Sequence, residues 1–277
     1  MRPNKFLGQN FLSSKKIVED IIHAADIRPN DVVLEVGPGK GILTEALLEG
    51  RAKVVAVEKD KRLFDYLKEK FANVKNLEII HADILKFNFT RYSLPVTRYK
   101  IVANIPYYIT SRFLRTFLQS DFQPSRMVLM VQKEVAERII GKTKESILSI
   151  SVKTYGQPKI IRTVPAQYFS PKPKVDSAIL LVDKISKEFF RDAAKLTSLI
   201  TGTKGNDTEA KLRGSLEAKF FGLVKKGFSS KRKMLKNNLG LSNTECLTKC
   251  GISEKARAED LSPKNWECLY KNLYNLI

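Results

Sequence analysis

Short apolar runs alternate with longer amphipathic stretches through the first two-thirds of the chain. The runs occupy residues 32–36, 54–57, 77–80, 101–103, 127–131 and 178–182, and helical patterns fill 42–48 and 63–71. A strand covered on both faces has no polar side to show, so short apolar runs separated by helices predict βαβ units around a buried parallel sheet. The run at 160–164 lies between Pro158 and Pro165. It predicts a strand-rich end to that sheet with an antiparallel member.

After Asp183 the texture changes. Residues 201–215 are polar, contain glycine and show no apolar period, which predicts a loop. Beyond them Phe220, Phe221, Val224 and Phe228 fall at helical spacing, followed by Leu235, Leu239 and Leu247, then Trp266, Leu269 and Leu273. The expected organisation is an α/β domain over 1–183 and a small helical domain over 184–277.

Composition narrows the classes. Forty-nine Lys and Arg against 29 Asp and Glu give a net charge of +20, while 43% of residues are hydrophobic, enough to build a core. Such a charge points to a polyanionic partner, nucleic acid above all. The charge also clusters. Residues 218–244 carry seven basic side chains and no acid: Lys219, Lys225, Lys226, Lys231, Arg232, Lys233 and Lys236. A solvated helix normally mixes signs, so this stretch reads as a basic helix that tracks phosphates.

Other classes are excluded or weakened. Cys246, Cys250 and Cys268 are too few and too clustered for a disulfide framework and read as free thiols in a reducing compartment. With His23 and His81 far away in sequence they do not supply a four-ligand zinc site, so no metal is expected. No stretch reaches the ~20 apolar residues of a membrane span, and the N-terminus lacks the apolar core of a signal peptide. A soluble, cytoplasmic protein is expected.

The chemistry concentrates where strands end. The run 32–36 leads into Gly37-Pro38-Gly39-Lys40-Gly41 and then a helix, the setting in which backbone approaches a nucleotide closely. A dinucleotide fingerprint would need glycine where Ile42 stands, and no Lys-Ser/Thr completes a P-loop. The remaining G-x-G-x-G form is associated with S-adenosylmethionine (SAM). Glu58 closes the second strand, where an acid accepts from ribose hydroxyls, and Asp83 closes the third, where a carboxylate accepts from an adenine amino group. His81 beside it reads as a bystander.

The fourth strand ends in Asn104-Ile105-Pro106-Tyr107. A nucleobase amine is a poor nucleophile because its lone pair is delocalised into the ring. An Asn oxygen and a backbone carbonyl accepting its two protons would turn that pair toward a methyl donor. Proline stiffens the backbone, and the Tyr ring offers a stacking face. The attacking amine is neutral, so geometry does the work and no general base is required.

Together with Gln9-Asn10-Phe11-Leu12, Glu35-Val36, and the stretches 164–177 and 228–239, these motifs resemble the rRNA adenine N6-dimethyltransferases over nearly the whole chain. The resemblance implies a Rossmann-like class I SAM-dependent methyltransferase with a mostly parallel seven-stranded sheet and a small C-terminal helical domain. It implies that Asn10 and Leu12 line the SAM site, that Gly37 and Gly39 lie against the cofactor, and that Asn104 both borders the cofactor and orients the target amine. Tyr107 and Phe169 would sandwich the flipped adenine. The basic segment and the ending 257–262 look like the branch that dimethylates two adjacent adenosines in the 3′-terminal hairpin loop of small-subunit rRNA. The partner implied is that rRNA, in an immature small ribosomal subunit, met by a monomer. Ala166 and Lys231 depart from the family's usual Pro and Arg. The alternatives are the large-subunit branch that gives antibiotic resistance and a non-catalytic ribosome-assembly factor on the same fold.

Overall fold

The computed structural model describes residues 8–87, 98–192, 194 and 206–274. Seven strands form one sheet in the spatial order β4-β3-β2-β5-β6-β9-β7. They are β2 (Val32–Val36), β3 (Lys53–Glu58), β4 (Leu77–His81), β5 (Lys100–Asn104), β6 (Arg126–Gln132), β7 (Gln157–Val164) and β9 (Ser177–Asp183). The first five are parallel to one another, and β9 runs antiparallel between β6 and β7. A two-residue strand β1 (Phe11–Leu12) pairs antiparallel with β8 (Phe169–Ser170).

The patterning explains the order. Every residue of β2 is buried, as a central strand covered on both faces requires. The outermost strand β7 alternates exposed and half-buried positions along most of its length. Helices α1 (Lys15–Ala25), α2 (Ile42–Glu49), α3 (Lys61–Lys70), α4 (Thr110–Gln119) and α5 (Lys133–Ile139) alternate with the strands. In α4, Phe113, Leu114, Phe117 and Leu118 are buried, a stripe that turns Ser111, Arg112, Arg115 and Thr116 to the exposed side. Burying each of those large side chains stabilises by roughly 1.5–3 kcal/mol.

Two compact units divide the chain. The first joins Met1–Ile140 to Gly156–Ile185, and the second joins Gly141–Tyr155 to Ser186–Ile277. The second unit thus takes in α6 (Ile147–Lys153), which the expected division at 183/184 leaves in the sheet domain. The reason is packing: the Tyr155 hydroxyl donates to Glu217, and its ring lies 5.8 Å from both Phe190 and Phe221. The other helices of this unit are α7 (Asn206–Gly227), α8 (Leu235–Leu239), α9 (Glu245–Lys249) and α10 (Pro263–Leu273).

Three expectations fail here. The loop expected over 201–215 is helical from Asn206, the start of α7; residues 201–205 lie outside the described residues. Phe220, Phe221 and Val224 anchor the C-terminal half of α7 in the core and carry the polar half with them. The basic stretch is not one helix: α7 ends at Gly227, where an added Cβ would collide with the Trp266 ring, and Lys231, Arg232 and Lys233 sit on the turn before α8. Finally, Cys250 and Cys268 are bonded as a disulfide, leaving Cys246 as the free thiol. Contact between α9 and α10 brings Cys250, just past the end of α9, beside α10 across 18 residues of sequence.

Candidate active site

Because β2, β3, β4 and β5 are parallel and in register, Val36, Glu58, His81 and Asn104 emerge at one edge of the sheet. A cavity of about 290 Å³ opens there. Its walls bring together Asn10, Leu12, Gly37, Gly39, Glu58, Asp83, Asn104, Ile105, Pro106 and Tyr107.

The glycines are needed for their backbone. Gly37 has φ +68°, and a Cβ there would stand 3.3 Å from the Asn104 carbonyl oxygen. Gly39, at φ +60°, would press a Cβ to 3.1 Å from the Phe11 ring. The chain therefore crosses the end of β5 closely enough to leave a peptide-lined floor.

Glu58 is 5% exposed and held by main-chain donors: Gly39 N–H at 3.2 Å on Oε2 and Asp60 N–H at 2.8 Å on Oε1. Burial raises its pKa, and those amides oppose the rise. Two bonds leave a carboxylate with acceptor capacity toward the cavity. Asp83 accepts Leu85 N–H at 3.0 Å on one oxygen and Lys59 Nζ at 2.9 Å on the other. Partial burial alone would raise its pKa, but the Lys59 ammonium and that amide hold it below the usual carboxylate range. Ile84 and Leu85 add apolar wall beside it.

Asn104 donates from Nδ2 to the Asn10 carbonyl at 3.1 Å. That bond fixes the amide so that Oδ1 is the atom left to accept. The Pro106 carbonyl already accepts from Ile109 N–H at 3.1 Å. The Tyr107 hydroxyl lies 2.6 Å from Ser177 Oγ, which is fully buried at the start of β9. Burial raises the Tyr107 pKa, so the phenol stays neutral and its ring is held by a hydrogen bond.

Phe169 stands apart from this group. It is 3% exposed, belongs to the hydrophobic core and does not line the cavity. Its backbone pairs with Leu12 in the β1–β8 ladder. Lys225, Lys226, Lys231, Arg232, Lys233 and Lys236 all belong to the helical unit, and Lys236 pairs with Glu254 at 3.3 Å. Nothing in the sequence marks Ser177 as the partner of Tyr107, although it ends the 164–177 stretch. Nor does the sequence mark Tyr108 and Arg112 on the cavity wall, where only Tyr108's place beside the Asn-Ile-Pro-Tyr motif offers a signal.

The ribosomal RNA adenine dimethylase family matches residues 1–203. The chain belongs to that family. A small-subunit rRNA methyltransferase A from Dehalococcoides mccartyi is 40% identical over 97% of this chain and 88% of its own length. The protein of the same name from Clostridium botulinum is 35% identical over 99% and 95%. Among solved structures, a dimethyladenosine transferase from Plasmodium falciparum superposes with TM-score 0.74 at 26% identity, covering 96% of this chain and 98% of that one. The 23S rRNA methyltransferase ErmE gives 0.73 at 25%, covering 96% and 100%. As a member of this dimethylase family, the protein uses SAM. The residues fit that group: a floor that side chains would fill, two carboxylates to accept from hydroxyl and amino groups, and apolar wall for a purine.

Among the described residues no helix is long and apolar enough to cross a membrane.

Proposed function

We propose that this chain dimethylates N6 of two adjacent adenosines in the 3′-terminal hairpin loop of small-subunit rRNA, acting in the cytoplasm on the immature subunit. The observation that carries the reading is the Asn104 amide on the cavity wall, anchored through its nitrogen by Asn10 so that its oxygen is left to accept. When bound, SAM supplies the methyl group, and the rest is work for this chain's own residues.

Glu58 would accept from the ribose hydroxyls of SAM and Asp83 from its adenine amino group, so that these two carboxylates would hold the cofactor. Asn104 Oδ1 takes one proton of the target amine. With the Pro106 carbonyl engaged by Ile109, the Ile105 carbonyl is the main-chain acceptor for the other. Two accepted bonds localise the lone pair without removing a proton, and Tyr107, locked by Ser177, stacks on the base. The proton released after transfer leaves to solvent. The basic turn 231–233 of the helical unit supplies phosphate contacts.

The names of the relatives support the small-subunit assignment, while likeness to ErmE keeps the large subunit as the comparison to run. Methyl-labelled SAM supplied with unmethylated small and large subunits separates them. Label in the small-subunit 3′ hairpin is expected; label confined to the large subunit overturns the assignment.

A further inference from the structure

The described motifs account for the cavity but not for what borders it. Tyr108 is 65% exposed, although it follows a tyrosine that is tied into the core. It lines the cavity and also opens a groove that runs along α4 past Ser111, Arg112, Arg115, Thr116 and Gln119. Tyr108 and Arg112 belong to both, so groove and cavity are continuous.

The stripe has a regular build. Arg112, Arg115 and Gln119 recur every three or four positions along one face of α4, about 5–6 Å apart, and Tyr108 sits in the 3-10 turn that leads into it. The opposite face of α4 holds the buried Phe113, Leu114, Phe117 and Leu118, so the arginines cannot turn inward. Both are exposed, and neither pairs with a carboxylate among the described residues. The groove lining contains no acid, only cations, hydroxyls and an amide beside one aromatic ring. Exposed aromatic next to unpaired basic groups is the composition that holds single-stranded nucleic acid, with rings stacking bases and cations tracking phosphates.

Resting on the function proposed above, we infer that the Tyr108–α4 groove holds the RNA strand flanking the target adenosine. Tyr108 stacks a neighbouring base, while Arg112 and Arg115 each contact a phosphate. A base presented to the cavity must leave its stack, and its neighbours are splayed with it. The groove gives that strand a path on the catalytic unit itself, separate from the basic turn of the helical unit. Tyr108 thereby becomes a determinant of which loop sequences are accepted.

The test is anisotropy of a labelled RNA hairpin with two adjacent loop adenosines, bound to the full chain without cofactor across a salt series. Arg115→Gln should lower the slope of log affinity against log salt by about 0.7, the value for one phosphate contact on a single strand, and Arg112→Gln should do the same. Tyr108→Ala should weaken binding about tenfold at unchanged slope, and Tyr108→Phe should restore it. Calorimetry with SAM on Arg115→Gln, which lies outside the cavity, should match the parent chain and show that the fold is intact. Unchanged affinity and slope in all three loss variants would overturn the inference even if the parent chain methylates rRNA normally. Altered binding with no methylation by the parent chain would instead overturn the function and leave the groove standing.

Discussion

Replacing Glu35 with Gln should stabilise the protein, and by an amount that grows with pH. Glu35 sits in the middle of β2, 0% exposed, and neither carboxyl oxygen makes a hydrogen bond of ordinary geometry. Burial pushes its carboxyl from 4.5 up to about 8; the Thr44 hydroxyl and amide oppose the shift and the nearby Glu58 adds to it. Between those values the folded chain keeps a proton that the unfolded chain has released. Stability contributed by this group is therefore complete below about pH 4.5 and is lost as pH rises toward 8. At ~1.4 kcal/mol per unit, the gap between Glu35→Gln and the parent chain should widen by about 3 kcal/mol from pH 5 to pH 8. For a domain of this size that is roughly 6–12 °C in melting temperature. Urea unfolding of both proteins at pH 5, 6, 7 and 8 measures it, and comparison at each pH cancels the titrating groups that do not couple to Glu35 as Glu58 does. A gap of constant size would show that Glu35 ionises normally in the folded state and that the reasoning from burial is wrong.

Other consequences follow from the same geometry. Gly37→Ala strains a left-handed residue against the Asn104 carbonyl and should cost about 1–2 kcal/mol of stability together with about tenfold in SAM affinity, read by denaturation and calorimetry. Normal SAM affinity would mean that the floor is wider than described. Ser177→Ala removes the partner of the Tyr107 hydroxyl and should lower kcat more than it alters SAM binding; equal loss in both would assign Ser177 a purely structural part. Reversing charge at Lys231, Arg232 and Lys233 should weaken RNA binding and flatten its salt dependence by about 0.7 per lost phosphate contact. An unchanged slope would make the turn a solvated surface.

The sheet was legible because its inner strands are apolar on both faces. Each run from 32–36 to 178–182 falls inside an observed strand, and the antiparallel member is β9. The cavity was legible for a related reason: parallel strands end together, so Glu58, Asp83 and Asn104, scattered in sequence, meet at one edge. What was lost depended on distant partners. The polar start of α7 has no apolar period of its own and is carried by aromatics further along. Phe169 sits in an aromatic-and-proline motif suited to a loop, yet a two-residue ladder with β1 buries it. Cys250 and Cys268 are paired because α9 and α10 meet, which spacing does not reveal. Tyr108 could not be told from Tyr107 until one was seen bonded to Ser177 and the other exposed.

The central claim is that the anchored Asn104 amide presents a purine amine to SAM. Its most direct test is Asn104→Ala, with methylated adenosine counted by mass spectrometry in unmethylated small subunits and SAM affinity measured on the same preparation. The account predicts that dimethyladenosine disappears while SAM binding stays close to that of the parent chain. Undiminished dimethyladenosine in the variant would contradict it.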